Sequence, residues 1–136
     1  ACMKQGLLPL SQFSLHFYNR LAYHDYNALN LDVEKQGSQL AKDLGRNDKA
    51  MILRNHGTMT CGETSAEALF YLLFLEEACK TQIAALSAGL DNLSIPSKDV
   101  CEQAYKGMTA FEQGKIGQRD FEADCRITTF PWHKNA

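Results

Sequence analysis

No two of the five cysteines in this 136-residue chain stand close enough to form a Cys-x-x-Cys pair. Their number is odd, and Cys2, Cys61, Cys79, Cys101 and Cys125 are scattered along the chain. That argues against a disulfide framework and against a zinc–thiolate knuckle; buried free thiols in a reducing compartment are expected. His-x-His and His-x-x-x-His are both missing, as is a glycine-rich phosphate loop, and no Ser or Cys has an obvious base partner. Charge of either sign is in short excess: 14 Lys and Arg against 16 Asp and Glu give −2, with no basic run. Neither nucleic acid nor an anionic membrane surface is therefore expected as a partner. The longest apolar run, Ala68 to Leu75, is too short to span a bilayer, and no segment reads as a signal peptide. A cytoplasmic protein is expected, although Asn92-Leu93-Ser94 is a formal glycosylation sequon. There is no internal repeat and no low-complexity stretch.

What is present has the length and composition of one ordinary globular domain, 45% hydrophobic and 22% charged. Its organising stretch is Ala50 to Cys61. A continuous apolar run, Ala50 to Leu53, predicts a strand buried on both faces. Arg54-Asn55-His56-Gly57 then predicts a tight turn, because Asn and Gly suit turn conformations. Thr58 to Cys61 is β-prone again. A histidine is thereby held at a strand end, where a rigid scaffold presents a polar side chain.

In chain order, Gly6 to Leu10 is a connector whose apolar side chains predict packing. Ser11 suits the cap of a short helix over Gln12 to Arg20, with Leu15, Tyr18 and Leu21 on one face, and an extended run fits equally. Leu21 to Tyr26 alternates as a strand does, and 27–32 reads as a loop. Val33 to Leu44 predicts a helix with Val33, Leu40 and Leu44 inward, stopped at Gly45. Thr64 and Glu67 have capping-box spacing, and a helix from Ser65 to about Ala88 follows. Its first half is apolar all round, which predicts burial on more than one side, part of it against a partner subunit. Ser97 caps a helix to about Gln113 with Val100, Ala104, Met108 and Phe111 inward. Gly114 to Gly117 breaks it, a third helix runs over 118–127, and 128–136 is a tail. The opening, Ala1 to Gly6, reads like the last turn of a helix, so further chain is expected upstream.

Of the four histidines, His16 falls on a helical face and predicts packing, His24 a solvated strand edge, and His133 an exposed tail. His56 alone is placed for chemistry. A turn histidine that bonds backbone is the plainer account of it, and one imidazole cannot make a zinc site, which needs about three protein ligands. Glu63, Glu67, Glu76 and Glu77 gather around the long helix; Glu67 is explained by capping, and the last two by solvent or Lys80.

Four blocks, Gly6-Leu7-Leu8-Pro9-Leu10-Ser11-Gln12, Ala22-Tyr23-His24-Asp25-Tyr26, Leu53-Arg54-Asn55-His56-Gly57, and Ala66-Glu67-Ala68 leading to Glu76-Glu77-Ala78-Cys79, resemble the class II aldolase/adducin family in order and spacing. The wording is closest to its adducin-like bacterial branch, and the likeness covers about Ala1 to Leu86. The resemblance implies an α/β fold, a three-layer α/β/α sandwich around a mainly antiparallel sheet, with its N-terminal part outside this chain. Residues 1–90 would be the C-terminal part of that domain and 91–136 a helical extension and tail. It implies a homo-oligomer, a tetramer in the family's enzymes, with sites between subunits. It further implies a zinc-dependent lyase that cleaves a small sugar phosphate or hydroxy-carbonyl compound, with His56 as one metal ligand and Tyr18 as the nearest match to an assisting tyrosine from a neighbouring subunit. The family's His-x-His ligands and catalytic acid have no counterpart in these residues. A non-catalytic, adducin-like module for self-association and partner binding is the other implication; in animal adducins the partners are spectrin and actin.

Overall fold

The computed structural model of the chain describes residues 1–25, 32–111 and 116–127. The expected strand end at Tyr26, most of the loop at 27–32, the inward side chain of Phe111, and the tail with His133 lie outside that set. In order, the elements are α1 (Gln12–Leu15), β1 (Leu21–His24), α2 (Val33–Leu44), β2 (Ala50–Leu53), β3 (Gly57–Thr60), α3 (Ser65–Leu86), a 3-10 turn (Leu90–Asn92), α4 (Lys98–Phe111) and α5 (Gln118–Ile127).

The apolar run at Ala50 becomes the central strand, as its composition predicts. Ala50, Met51 and Ile52 are all buried. β2 pairs in parallel with β1, Leu21 opposite Ala50 through His24 opposite Leu53. On its other edge it pairs antiparallel with β3, Ala50 opposite Thr60 through Leu53 opposite Gly57. The fold is α/β, and its three described strands form a mixed sheet in the order β1-β2-β3. β1 and β2 are parallel, so they need a crossover, and α2, packed on β1, lies between them in sequence. β2 and β3 need only the turn at 54–56.

α3 covers the sheet. Its N-terminus is built as the sequence suggests, with one change. Thr64 Oγ1 accepts from the Glu67 N–H at 3.1 Å, but the Glu67 carboxylate takes the N–H of Glu63 at 2.7 Å, not that of Thr64. Its other oxygen meets Lys49 Nζ at 2.9 Å, which ties the start of β2 to the helix. Thr60 Oγ1 donates to the Ala68 carbonyl at 2.9 Å. Gly62 makes this junction fit: a Cβ there would stand 2.7 Å from the Ala68 nitrogen.

The core joins Phe17, Ala50, Tyr71 and Leu75, with Leu7, Leu21, Phe70, Phe74 and Cys79 packed around them. His16 is buried in this region, edge-on to Phe70 and Phe74 at 5.7 and 4.8 Å. The expectation that it packs is met. Leu72 and Leu73, on the other side of α3, remain 40% and 47% exposed.

Several local expectations need correction. The helix after Ser11 is a single turn, Gln12–Leu15; turns follow it, and Asn19 in the left-handed conformation (φ 59°) precedes β1. Val33 is exposed, and α2 buries none of its residues fully. On α4, Val100 is exposed and Cys101 is buried in its place, while Ala104 and Met108 are half-buried as expected. All five cysteines are free, but only Cys101 is buried; Cys2 and Cys125 are exposed.

The connector before α1 is fastened at several points. Gln82, buried on α3, accepts from the Leu8 N–H at 2.6 Å and donates to the Gly6 carbonyl at 2.8 Å. The Leu7 N–H donates to the Tyr23 hydroxyl at 3.0 Å. Gly6 has a positive φ of 70°, and a Cβ there would collide with that hydroxyl. Gln82→Leu keeps the bulk but strands a buried amide N–H and a carbonyl. It should lower unfolding stability by roughly 2–4 kcal/mol, read as a lower urea midpoint with unchanged secondary structure. A loss below about 0.5 kcal/mol would show that water reaches both groups.

Candidate functional site

The candidate site is the end of the sheet where β1 and β2 finish side by side. A β-turn follows β2, closed by the His56 N–H donating to the Leu53 carbonyl at 3.0 Å. Asn55 occupies its third position with φ 58°, a conformation that Asn tolerates better than most residues. The Arg54 N–H donates to the His24 carbonyl at 2.9 Å, which extends the parallel pairing by one rung. The Asn55 N–H donates to the Ala1 carbonyl at 3.2 Å. The main chain carrying His56 is thus bonded on three sides. The side chain of His56 is exposed.

Arg54 folds back over the same corner. Its Nε lies 3.3 Å from Asp25 Oδ1, and its Nη1 donates to the Met3 carbonyl at 3.2 Å. Its guanidinium lies over the Tyr23 ring, 4.8 Å from the centroid.

His24 is the histidine that sequence reading misplaced. A solvated edge was expected, yet the ring is buried, because His24 follows Ala22 on the inward face of β1. Its Nδ1 lies 2.7 Å from Asp43 Oδ2, joining β1 to α2. Asp43 also accepts from Gln39 Nε2 at 2.7 Å. The hydrogen bond from His24 holds the Asp43 carboxyl below the ordinary aspartate range. Strand alternation, with Ala22 as the inward marker, was the signal that could have found this pair.

Tyr18 lies at the other end of the sheet, half-buried in the turn between α1 and β1. It lines a cleft of about 310 Å³ with Pro9, Phe17, Asn19 and Tyr23. The length of β1 lies between it and the His56 turn, on the order of 10 Å or more at about 3.3 Å per residue. One copy of the chain does not bring Tyr18 and His56 together.

Here a metal would meet one exposed imidazole on a well-held main chain. Among the described residues, no three His, Cys, Asp or Glu side chains are grouped so as to hold a metal ion. His56 fits one position of a zinc shell, but the described residues do not make a zinc site. Of the thiols, burial pushes both Cys61 and Cys79 up from the ordinary cysteine range. No helix among the described residues is long and apolar enough to cross a membrane.

Comparison with known proteins supplies the wider frame. The family model for the Class II Aldolase and Adducin N-terminal domain matches residues 1–83. A putative aldolase class 2 protein of Caulobacter vibrioides is 40% identical over 84% of this chain and 43% of its own length. Alpha-adducin of Rattus norvegicus is 36% identical over 93% of this chain and 18% of its own. Among solved structures, an aldolase II superfamily protein from Pseudomonas syringae superposes with a TM-score of 0.82 at 40% identity, covering 93% of this chain and 49% of the other. L-fuculose 1-phosphate aldolase from Glaciozyma antarctica PI12 gives a TM-score of 0.60 at 27% identity, over 74% of this chain and 36% of that one. The chain therefore spans less than half the length of these relatives.

The Asp43 shift fixes the sign of a pH effect. A depressed carboxylate pKa stabilises the fold above the unfolded-state pKa, and that contribution is lost as pH falls through the folded value. His24→Ala should return Asp43 toward the ordinary aspartate range in a carboxyl-carbon NMR titration. The wild type should lose its extra stability only in acid below that range. An Asp43 titration that His24→Ala leaves unmoved would show that another group sets it.

Proposed function

The chain belongs to the class II aldolase and adducin family, and from that premise we propose that it forms the part of a metal-dependent lyase domain that presents His56 as one ligand of a divalent metal. The metal of this reading is zinc, and the substrate a small sugar phosphate or hydroxy-carbonyl compound, in keeping with the fuculose-phosphate aldolase among the structural neighbours. The observation that carries it is the contrast at residue 56: a main chain bonded on three sides beneath an exposed imidazole. The backbone that presents such a ring is already fixed before a metal arrives.

The remaining ligands of this reading come from outside the described residues. A bound zinc would supply Lewis-acid polarisation of a substrate carbonyl. The work of this chain is narrower: it aims the His56 ring and fixes its backbone. Tyr18, at the far end of the sheet, would serve the active site of a neighbouring subunit, so the site of this reading lies between copies. The complete domain would be a three-layer α/β/α sandwich with a mainly antiparallel sheet. Residues 1–90 would belong to it, and 91–136 would be a helical extension. The cytoplasm is the compartment of this reading.

A second reading has its own support. Alpha-adducin matches 93% of this chain at 36% identity, and Leu72 and Leu73 form an exposed apolar pair on α3. On that reading the same fold serves self-association without chemistry.

Two measurements on the protein expressed from its complete reading frame separate the readings. Under the first, it binds one Zn²⁺ per chain, and His56→Ala weakens binding by more than about a hundredfold, since loss of even an outer-shell partner costs 10–100-fold. Full Zn²⁺ affinity in His56→Ala would overturn the ligand assignment. Under either reading the protein is oligomeric in sedimentation equilibrium. Leu72→Asp with Leu73→Asp should dissociate it without unfolding, because neither side chain belongs to the buried core cluster; a monomeric wild type would contradict both readings.

A further inference from the structure

The Arg54 side chain touches both of the other segments that meet the β2–β3 turn at the candidate corner. It precedes His56 by two residues in the β2–β3 turn. Its guanidinium donates to the Met3 carbonyl at 3.2 Å and approaches the Lys4 carbonyl at 3.5 Å, on the segment before α1. It lies over the Tyr23 ring and reaches Asp25, both at the end of β1. The next residue, Asn55, donates its N–H to the Ala1 carbonyl.

The contacts differ in weight. Asp25 is 93% exposed, so its ion pair with Arg54 contributes little in water. The ring contact and the carbonyl bonds involve an arginine side chain only 29% exposed, and they use the plane and fork of the guanidinium. A lysine in this place keeps the charge and loses both.

We infer that Arg54 is a positioning residue for His56: it locks the turn to the Met3–Lys4 segment and to Tyr23, so that the imidazole keeps one direction relative to the chain that leads into β1. This rests on the reading of His56 as a metal ligand. The physical need is plain. A three-residue turn with an exposed side chain belongs to the low-stability end of a fold, and a ligand there is useful only if something outside the turn holds it.

The test compares Arg54→Lys, Arg54→Gln and Asp25→Asn in the protein expressed from its complete reading frame. Amide hydrogen exchange at Asn55 and His56 reads the turn without any metal. Zn²⁺ titration and the ligand-field spectrum of bound Co²⁺ read the ring. Both Arg54 variants should speed exchange at the two amides by about tenfold or more, while amides of α3 keep their wild-type rates. They should also weaken Zn²⁺ binding by about tenfold and shift the Co²⁺ bands, which a general loss of stability does not do. Asp25→Asn should stay within about twofold of wild type in both. If exchange at both amides is unchanged in either Arg54 variant, the inference is overturned. It is equally overturned if Asp25→Asn reproduces the full effect. If exchange accelerates but the wild type binds no Zn²⁺, the positioning role stands and the reading of His56 as a ligand falls.

Discussion

The constraint on which the rest of the structure depends is the burial of β2. Ala50 and Met51 are wholly inaccessible, and Ile52 nearly so. A strand in that position cannot leave N–H or carbonyl groups to water, so both edges must be paired. β1 satisfies one edge in parallel and β3 the other in antiparallel sense. The parallel side forces a crossover and the antiparallel side forces a tight turn. The turn carries His56, and its position at the end of a strand with no freedom of its own makes the histidine chemically interesting. A hairpin on a solvated edge would offer the same residue with far less fixed geometry.

Local chemistry explains why much of this was legible in the chain. A short apolar run bounded by Lys49 and Arg54 reads as a buried strand. Thr64 announces a helix start, and Gly45 a helix end where φ is 72°. Those signals depend on neighbours in sequence, so they survive without knowledge of the fold. What escaped depends on the third dimension. Val33 and Val100 are apolar and fall on the expected stripes, yet both face outward. Helical periodicity defines a face but not what lies opposite it, and α2 rests on β1 without burying any residue fully. His24 was misread for a related reason: its neighbours Tyr23 and Asp25 are polar, but the pleat turns it inward with Ala22, toward an Asp43 nineteen positions away.

The candidate site divides along the same line. The His56 turn was visible because Asn55 and Gly57 are turn residues in any context. The contacts that brace it were not. Gln82 and Gly6 are 76 positions apart, and Arg54 and Met3 are 51 apart. No local pattern marks such partners. Membership of the family raises the standing of the four sequence blocks, and the structure gives them a physical reason. Gly6 is needed because Tyr23 approaches its α-carbon. Tyr23 is held because Arg54 lies over its ring. Arg54 in turn adjoins the turn of His56. Three of the four blocks are thus one packed corner seen at separate places in the sequence.

That corner also bears on how many chains a working site would need. His56 sits where β1 and β2 end, and Tyr18 sits before β1 begins. Both strands run in the same direction and start and stop in register, Leu21 with Ala50 and His24 with Leu53. A rigid parallel pair therefore keeps the two residues at opposite ends, and rotation of either side chain cannot close a gap of that order. Bringing the hinge of the problem to a neighbouring copy removes the difficulty, because a second chain can approach with its own Tyr18 end toward the first chain's His56 end. A two-fold pair can supply this meeting twice, since residue i of one copy then faces residue j of the other and j faces i, and a ring supplies it once per interface. The parallel register of two four-residue strands thus argues, if both residues serve one site, for a site shared between copies of the chain.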